Sequence, residues 1–216
     1  MPAPRIRTAR IALTASALAL GLGLIAGCSS SDQAAQAPAT TPAAQGSQTP
    51  SAPSTSGPEV EAMLAKYDLQ GKDVRAIVDE LDQTHNDKDK GLMGQVRQDQ
   101  LVLRDASSSV SMPMPADATY ISIAPFVNQT HDCFFHSLAT CQGEMVEKPV
   151  SLKVTDASGK VVAEENATTY VNGFVGLWLP RNINGQITIT SEGKTATAPL
   201  STAADAPTCV TTIKLS

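Results

Sequence analysis

Four closely spaced turn signals constrain the fold of this chain more than any other feature: Asp156-Ala157-Ser158-Gly159, Asn172-Gly173, Asn184-Gly185 and Glu192-Gly193. Glycine adopts the positive φ that tight turns require, and Asn or Asp tolerates it, so each signal punctuates an extended run. The runs are short and alternate in polarity: Val150-Ser151-Leu152-Lys153-Val154, then Val161-Val162-Ala163, Gln186-Ile187-Thr188-Ile189-Thr190 and Thr195 to Leu200. Asn172-Gly173 predicts a two-residue hairpin joining a strand that ends at Val171 to Phe174–Leu179. Tyr120-Ile121-Ser122-Ile123-Ala124 alternates upstream, and Cys209 to Leu215 reads as the last strand. No helical period separates these strands, which excludes βαβ units and predicts an antiparallel sandwich.

The preceding segment is different. Val60, Met63 and Leu64 share a stripe within Glu59–Tyr67, and Val74, Ile77, Val78 and Leu81 share another within Gly71–Thr84, both at helical spacing. Asp73 can start the second helix, and the polar run 86–91 is expected to end it as a solvated turn. Asp87 and Asp89 lack the later glycine and glutamate of a calcium loop. His85 stands at the helix end, where imidazoles commonly cap. Gln100–Arg104 and Val110–Met114 look extended. Met112 and Met114 lie among prolines and offer thioethers that suit Cu(I), although such methionines more often pack. The expected class is α+β, with a small N-terminal helical part over 58–115 and a mainly antiparallel, sandwich-like β domain over 116–216.

Residues 1–27 form an address. Arg5, Arg7 and Arg10 precede an apolar run from Ile11 to Ile25, and small residues lead to Cys28, as in a signal peptide. Ile25-Ala26-Gly27-Cys28 resembles a bacterial lipobox, in which the cysteine is acylated. From there to Gly57 the chain is Ser, Ala, Gln, Thr, Pro and Gly with almost no large apolar residue, which predicts a flexible tether after lipidated Cys28. The mature protein is therefore expected outside the cytoplasm, anchored to the membrane. The net charge of -5 includes the signal's arginines. With no basic patch, nucleic acid is excluded as a partner.

Chemistry concentrates in residues 128–141, where His131, Cys133, His136 and Cys141 fall close together. With Cys28 carrying lipid, Cys133, Cys141 and Cys209 remain, and three cysteines cannot all pair within one chain. A leftover thiol in an oxidising compartment calls for a metal, a partner chain or a redox role. The Cys133–Cys141 spacing is too long for Cys-x-x-Cys and unlike a zinc knuckle. Thiolates with imidazoles suit Zn(II), Cu(I) and Cu(II), and two thiolates closing to a disulfide supply electrons that can reduce Cu(II). A Cys141–Cys209 or Cys133–Cys141 disulfide in a structural or zinc-binding module is the alternative.

Tyr120 to Cys133 resembles the CueP family of periplasmic copper-binding proteins, as do His136-Ser137-Leu138, Thr140-Cys141, Asn172-Gly173-Phe174, Leu177 to Asn182, Gly193 to Thr197 and Thr208-Cys209 with Thr211-Thr212. The resemblance implies copper binding, reduction of Cu(II) to Cu(I), copper tolerance and supply of copper to an exported copper-zinc superoxide dismutase. It makes Cys133, Cys141 and Cys209 both ligands and electron donors, with His131 and His136 as further metal ligands. It also implies a homodimer formed through the N-terminal part. The lipid anchor and long tether set this chain apart from soluble members.

Overall fold

The computed structural model describes residues 57–216; the expected signal peptide, Cys28 and the tether up to Ser56 lie outside the described residues. Three helices come first: α1 (Gly57–Lys66), α2 (Val74–Thr84) and α3 (Asn86–Lys90). The strands are β1 (Met93–Val96), β2 (Gln100–Arg104), β3 (Ser109–Pro113), β4 (Ala118–Ile123), β5 (Pro149–Asp156), β6 (Val161–Thr168), β7 (Val175–Pro180), β8 (Asn184–Ser191), β9 (Lys194–Ser201) and β10 (Cys209–Val210). They form sheets ordered β1-β2-β3, β10-β4-β7 and β6-β5-β8-β9. Pairing is antiparallel throughout except that β10 runs parallel to β4. The α+β expectation holds.

Helix α2 begins where Asp73 accepts the Ala76 N–H at 2.8 Å and ends where His85 turns left-handed at φ 57°. The polar run after it is a further short helix, α3, closed by Gly91 at φ 77°. Asp87 in that helix is buried, not solvated, and neither carboxylate oxygen finds a hydrogen-bond partner.

Two large apolar cores result, with β4 as the wall between them, beside a small cluster of Ala124, Cys141, Phe174 and Cys209. One gathers Ile77, Val78 and Leu81 of α2 with Val96, Leu101, Leu103 and Val110 of the first sheet and Tyr120 of β4. Met114 is buried in it and Met112 packs against it, so both methionines take the packing role. The other fills the space between the two remaining sheets, from Ile121 and Ile123 of β4 to Leu152, Ile187 and Ile189 of β5 and β8. Successive strand residues face opposite ways, so Tyr120 and Ser122 look toward the helices while Ile121 and Ile123 look into the sandwich. All of β4 is buried.

Asn172-Gly173 forms a turn, with Gly173 at φ 77°, but it does not make the expected hairpin. Strand β6 pairs with β5 and β7 with β4, so the turn carries the chain from one sheet to the other. A Cβ at Gly173 would overlap the backbone of Gly143, and the Asn172 side chain points into the interior, fully buried. Asn184-Gly185, by contrast, is not a turn: both residues lie inside β8, paired with Ser201 and Leu200 of β9. Of the expected last strand, Cys209 and Val210 pair with β4, and Lys214 adds an isolated parallel bridge to Phe126.

Candidate metal centre

Between β4 and β5 the chain is irregular, and both of its ends are fastened. After β4 it zips to the C-terminal segment, with Ala124 N–H to the Val210 carbonyl at 2.9 Å, Phe126 N–H to Ile213 at 3.0 Å and Leu215 N–H to Phe126 at 2.7 Å. The Glu144 carboxylate gathers the Val127, Asn128 and Gln129 N–H groups and the Asn128 amide. These donors, Asn128 foremost, hold its pKa down to about 2. Farther on, Thr208 donates to the Val96 carbonyl at 2.7 Å and accepts the His136 N–H at 3.0 Å, while Leu138 N–H reaches Gly94 at 2.9 Å. The C-terminal segment and β1 thus fix the loop from two sides.

The result is one cluster. Donor atoms of His131, Cys133, Cys141 and Cys209 all lie within 4.8 Å of one another. The three cysteines are free thiols, with Cys133 Sγ 3.5 Å from Cys141 Sγ. Cys141 and Cys209 are buried and Cys133 is half-buried beside an apolar groove of about 280 Å³ that also touches Phe134, Leu200 and Pro207. The Nε2 of His131 is shielded from solvent yet has no hydrogen-bond partner. A histidine with an orphaned ring nitrogen that brings one imidazole nitrogen close to three sulfurs fits a soft-metal site.

Cys141 is the natural thiolate of the three. Hydrogen bonds from Cys133 and Cys209 and the nearby His136 pull its pKa far below the usual thiol value, against the effect of burial. The Ser137 N–H also points at its sulfur from 3.3 Å. Donating to Cys141 pushes Cys133 up to about 12, and Cys209 is raised by its bonds to both other thiols and by burial.

His136 stands outside that four-residue group. It is fully buried, with Nδ1 3.7 Å from Cys209 Sγ and Nε2 2.8 Å from Asp82 Oδ1. Phe174, also fully buried, packs between the two imidazoles, its ring centroid 4.7 Å from His136 and 6.2 Å from His131. Burial works to lower the His136 pKa, but the Asp82 carboxylate outweighs it and the net shift is up, to about 9. His85, the remaining histidine, bonds Gln142 through Nδ1 at 3.2 Å and takes no part in the cluster.

Asp82 went unread in the sequence. It is fully buried, and its two oxygens also take Tyr120 Oη at 2.7 Å, Ser122 Oγ at 3.0 Å and Asn172 Nδ2 at 2.7 Å. Burial raises its pKa, but His136 and these donors win, and the net shift is downward. A signal was present. Asp82 stands one helical turn after Val78, so a carboxylate falls on the apolar stripe of α2, where it must find partners inside.

Comparison with known proteins gives a consistent set. A family model described as CueP, periplasmic copper-binding protein CueP, matches residues 76–214. Among solved structures, a crystal structure of S.CueP is 40% identical, covering 73% of this chain and 97% of that chain, with a TM-score of 0.70. No curated protein sequence matches.

Proposed function

Because this chain belongs to the CueP family of periplasmic copper-binding proteins, we propose that its three thiols and His131 hold Cu(I), and that the same thiols reduce Cu(II). The observation that carries this reading is the convergence of His131, Cys133 and Cys141 of one loop with Cys209, distant from them in sequence, to within 4.8 Å. Sulfur ligands favour Cu(I), and an imidazole completes a compact soft set.

The redox step balances on these residues. Two thiols closing to one disulfide release two electrons and two protons, enough to convert two Cu(II) to Cu(I). Cys133 and Cys141, 3.5 Å apart with Cys141 favoured as thiolate, are the pair best placed for it. Oxidation removes two ligands at once, so Cu(I) binding is lost until the thiols are restored.

Copper tolerance outside the cytoplasm is the corresponding role. The lipobox at Cys28 supports anchoring to a membrane, and the likeness to the family supports an exported copper-zinc superoxide dismutase as a recipient and a homodimer as the assembly. Three cysteines with one histidine also form a donor set for tetrahedral Zn(II), and this is the second reading: a structural zinc module without redox chemistry.

Anaerobic titration of the reduced protein with Cu(II), following bound copper, its oxidation state and free thiols together, separates the two. Thiols lost as Cu(I) forms, with Cu(I) retained by protein still reduced and by Cys133→Ser only weakly, is the expected result. Cu(II) left unreduced with thiols intact, together with preference for zinc, would replace this reading with the structural one.

A further inference from the structure

Resting on the copper-binding reading above, we infer that Asp82 of α2 is a positioning residue of the metal centre: it accepts the Nε2–H of His136 and so aims Nδ1 at the sulfur of Cys209. The geometry is a chain of carboxylate, imidazole and thiol, 2.8 Å across the first link and 3.7 Å across the second. Every group in it is buried: Asp82, His136 and Cys209 are 0%, 0% and 2% exposed.

The direction of the chain follows from hydrogen-bond capacity. Asp82 Oδ1 accepts from His136 Nε2 and from the Asn172 amide, while Oδ2 accepts from Tyr120 and Ser122. A carboxylate oxygen so surrounded has nothing to donate, so Nε2 must carry a proton whether the ring is neutral or charged. Nδ1 is then the nitrogen left for the sulfurs. A flip of the ring would put Cε1 at Asp82 and Cδ2 at Cys209 and lose both contacts, and Phe174 packs against the ring at 4.7 Å between centroids.

The anchor is equally fixed. Asn172 holds Asp82 with its amide and uses its own oxygen to accept the Phe174 N–H at 3.0 Å, so the turn that supplies Phe174 also braces the carboxylate. Partners of this kind behind metal-binding groups set tautomer and ring direction, and their loss weakens metal binding about 10–100-fold. The role makes α2 part of the metal centre, although no residue of that helix belongs to the His131, Cys133, Cys141 and Cys209 group.

The test measures Cu(I) affinity by competition with a chromophoric Cu(I) chelator in reduced full-length protein. Expected is a loss of about 10–100-fold in Asp82→Ala, recovery of most of it in Asp82→Asn, whose amide oxygen can still accept the Nε2–H, and no change in Leu152→Ala. Leu152→Ala is destabilised by a cavity in the sandwich core, remote from Asp82, and it controls for loss of stability alone. Equal weakening in Asp82→Ala and Leu152→Ala, or no weakening in Asp82→Ala, would overturn the assignment. Imidazole ¹⁵N spectra of the reduced wild type provide a readout that needs neither copper nor a folded Ala variant: Nε2 protonated is expected, and a proton on Nδ1 with Nε2 bare would overturn it. If wild-type protein fails to hold Cu(I) through its thiols, the copper reading falls, while the spectra still decide whether Asp82 sets the tautomer.

Discussion

Asp82 and Asp87 are both buried carboxylates, five residues apart on either side of the kink at His85, and they could hardly be partnered more differently. Asp82 takes bonds from Tyr120, Ser122, His136 and Asn172. Asp87 takes no well-formed hydrogen bond with either oxygen, and the Asp87 and Lys88 backbone N–H groups oppose the effect of its burial without overcoming it. Their pKa values move apart accordingly, Asp82 downward, where His136 and the other donors overcome burial, and Asp87 upward to about 6 under burial. Burial alone does not mark a functional charge. What distinguishes Asp82 is that four donors from distant segments converge on it, one of which also faces a thiol.

The largest effect separating the two is on stability. Asp82→Ala leaves His136 buried without its counter-charge, a loss of about 3–5 kcal/mol, measured by urea unfolding of the reduced apoprotein, whereas Asp87→Ala is expected to cost far less. Equal losses would erase the distinction.

A smaller effect is pH-dependent. The His136 pKa is raised from 6.5 to about 9 in the folded protein, so its contribution is complete below pH about 6.5 and is lost as pH rises through about 9. The expected fall is about 1–3 kcal/mol, since each tenfold gain in proton affinity is worth about 1.4 kcal/mol, and it is followed as Tm against pH. Asp82→Asn should flatten that slope, and a slope unchanged in the variant would assign it to other groups.

The smallest effect has the same pH direction but arises from a charge that folding disfavours. Asp87 is raised from 3.8 to about 6, so its ionised form opposes folding, and stability is gained as pH falls through about 6 toward 4. Asp87→Asn is expected to raise Tm above pH 6 by an amount worth about 1 kcal/mol, since an uncharged group is cheaper to bury. A lower Tm in that variant would show that Asp87 has a partner.

Much of the secondary structure was legible because its causes are local. The stripe at Ile77, Val78 and Leu81, the cap at Asp73 and the turns at Asp156–Gly159 and Glu192-Gly193 each depend on residues a few positions apart, and each is present. Asn172-Gly173 misled because the turn chemistry is local but strand pairing is not. Its side chain is spent on Asp82, and the strands on either side belong to different sheets. The run 86–91 misled for a related reason: its polarity suggested solvent, and packing buried Asp87 instead.

By itself the sequence determined the classes of element and the soft donors His131, Cys133, Cys141, Cys209 and His136, since residue type and short spacing carry that information. Only the tertiary structure decided which of these donors share one site, that His136 stands behind Cys209, and that Asp82 completes the arrangement from a helix 54 residues earlier than His136. The physical reason is range. Helical and strand periodicity act over a few residues, whereas the cluster is assembled by parallel pairing of β10 with β4 and by burial of both faces of β4 between two cores. Those contacts span much of the chain and leave no local pattern.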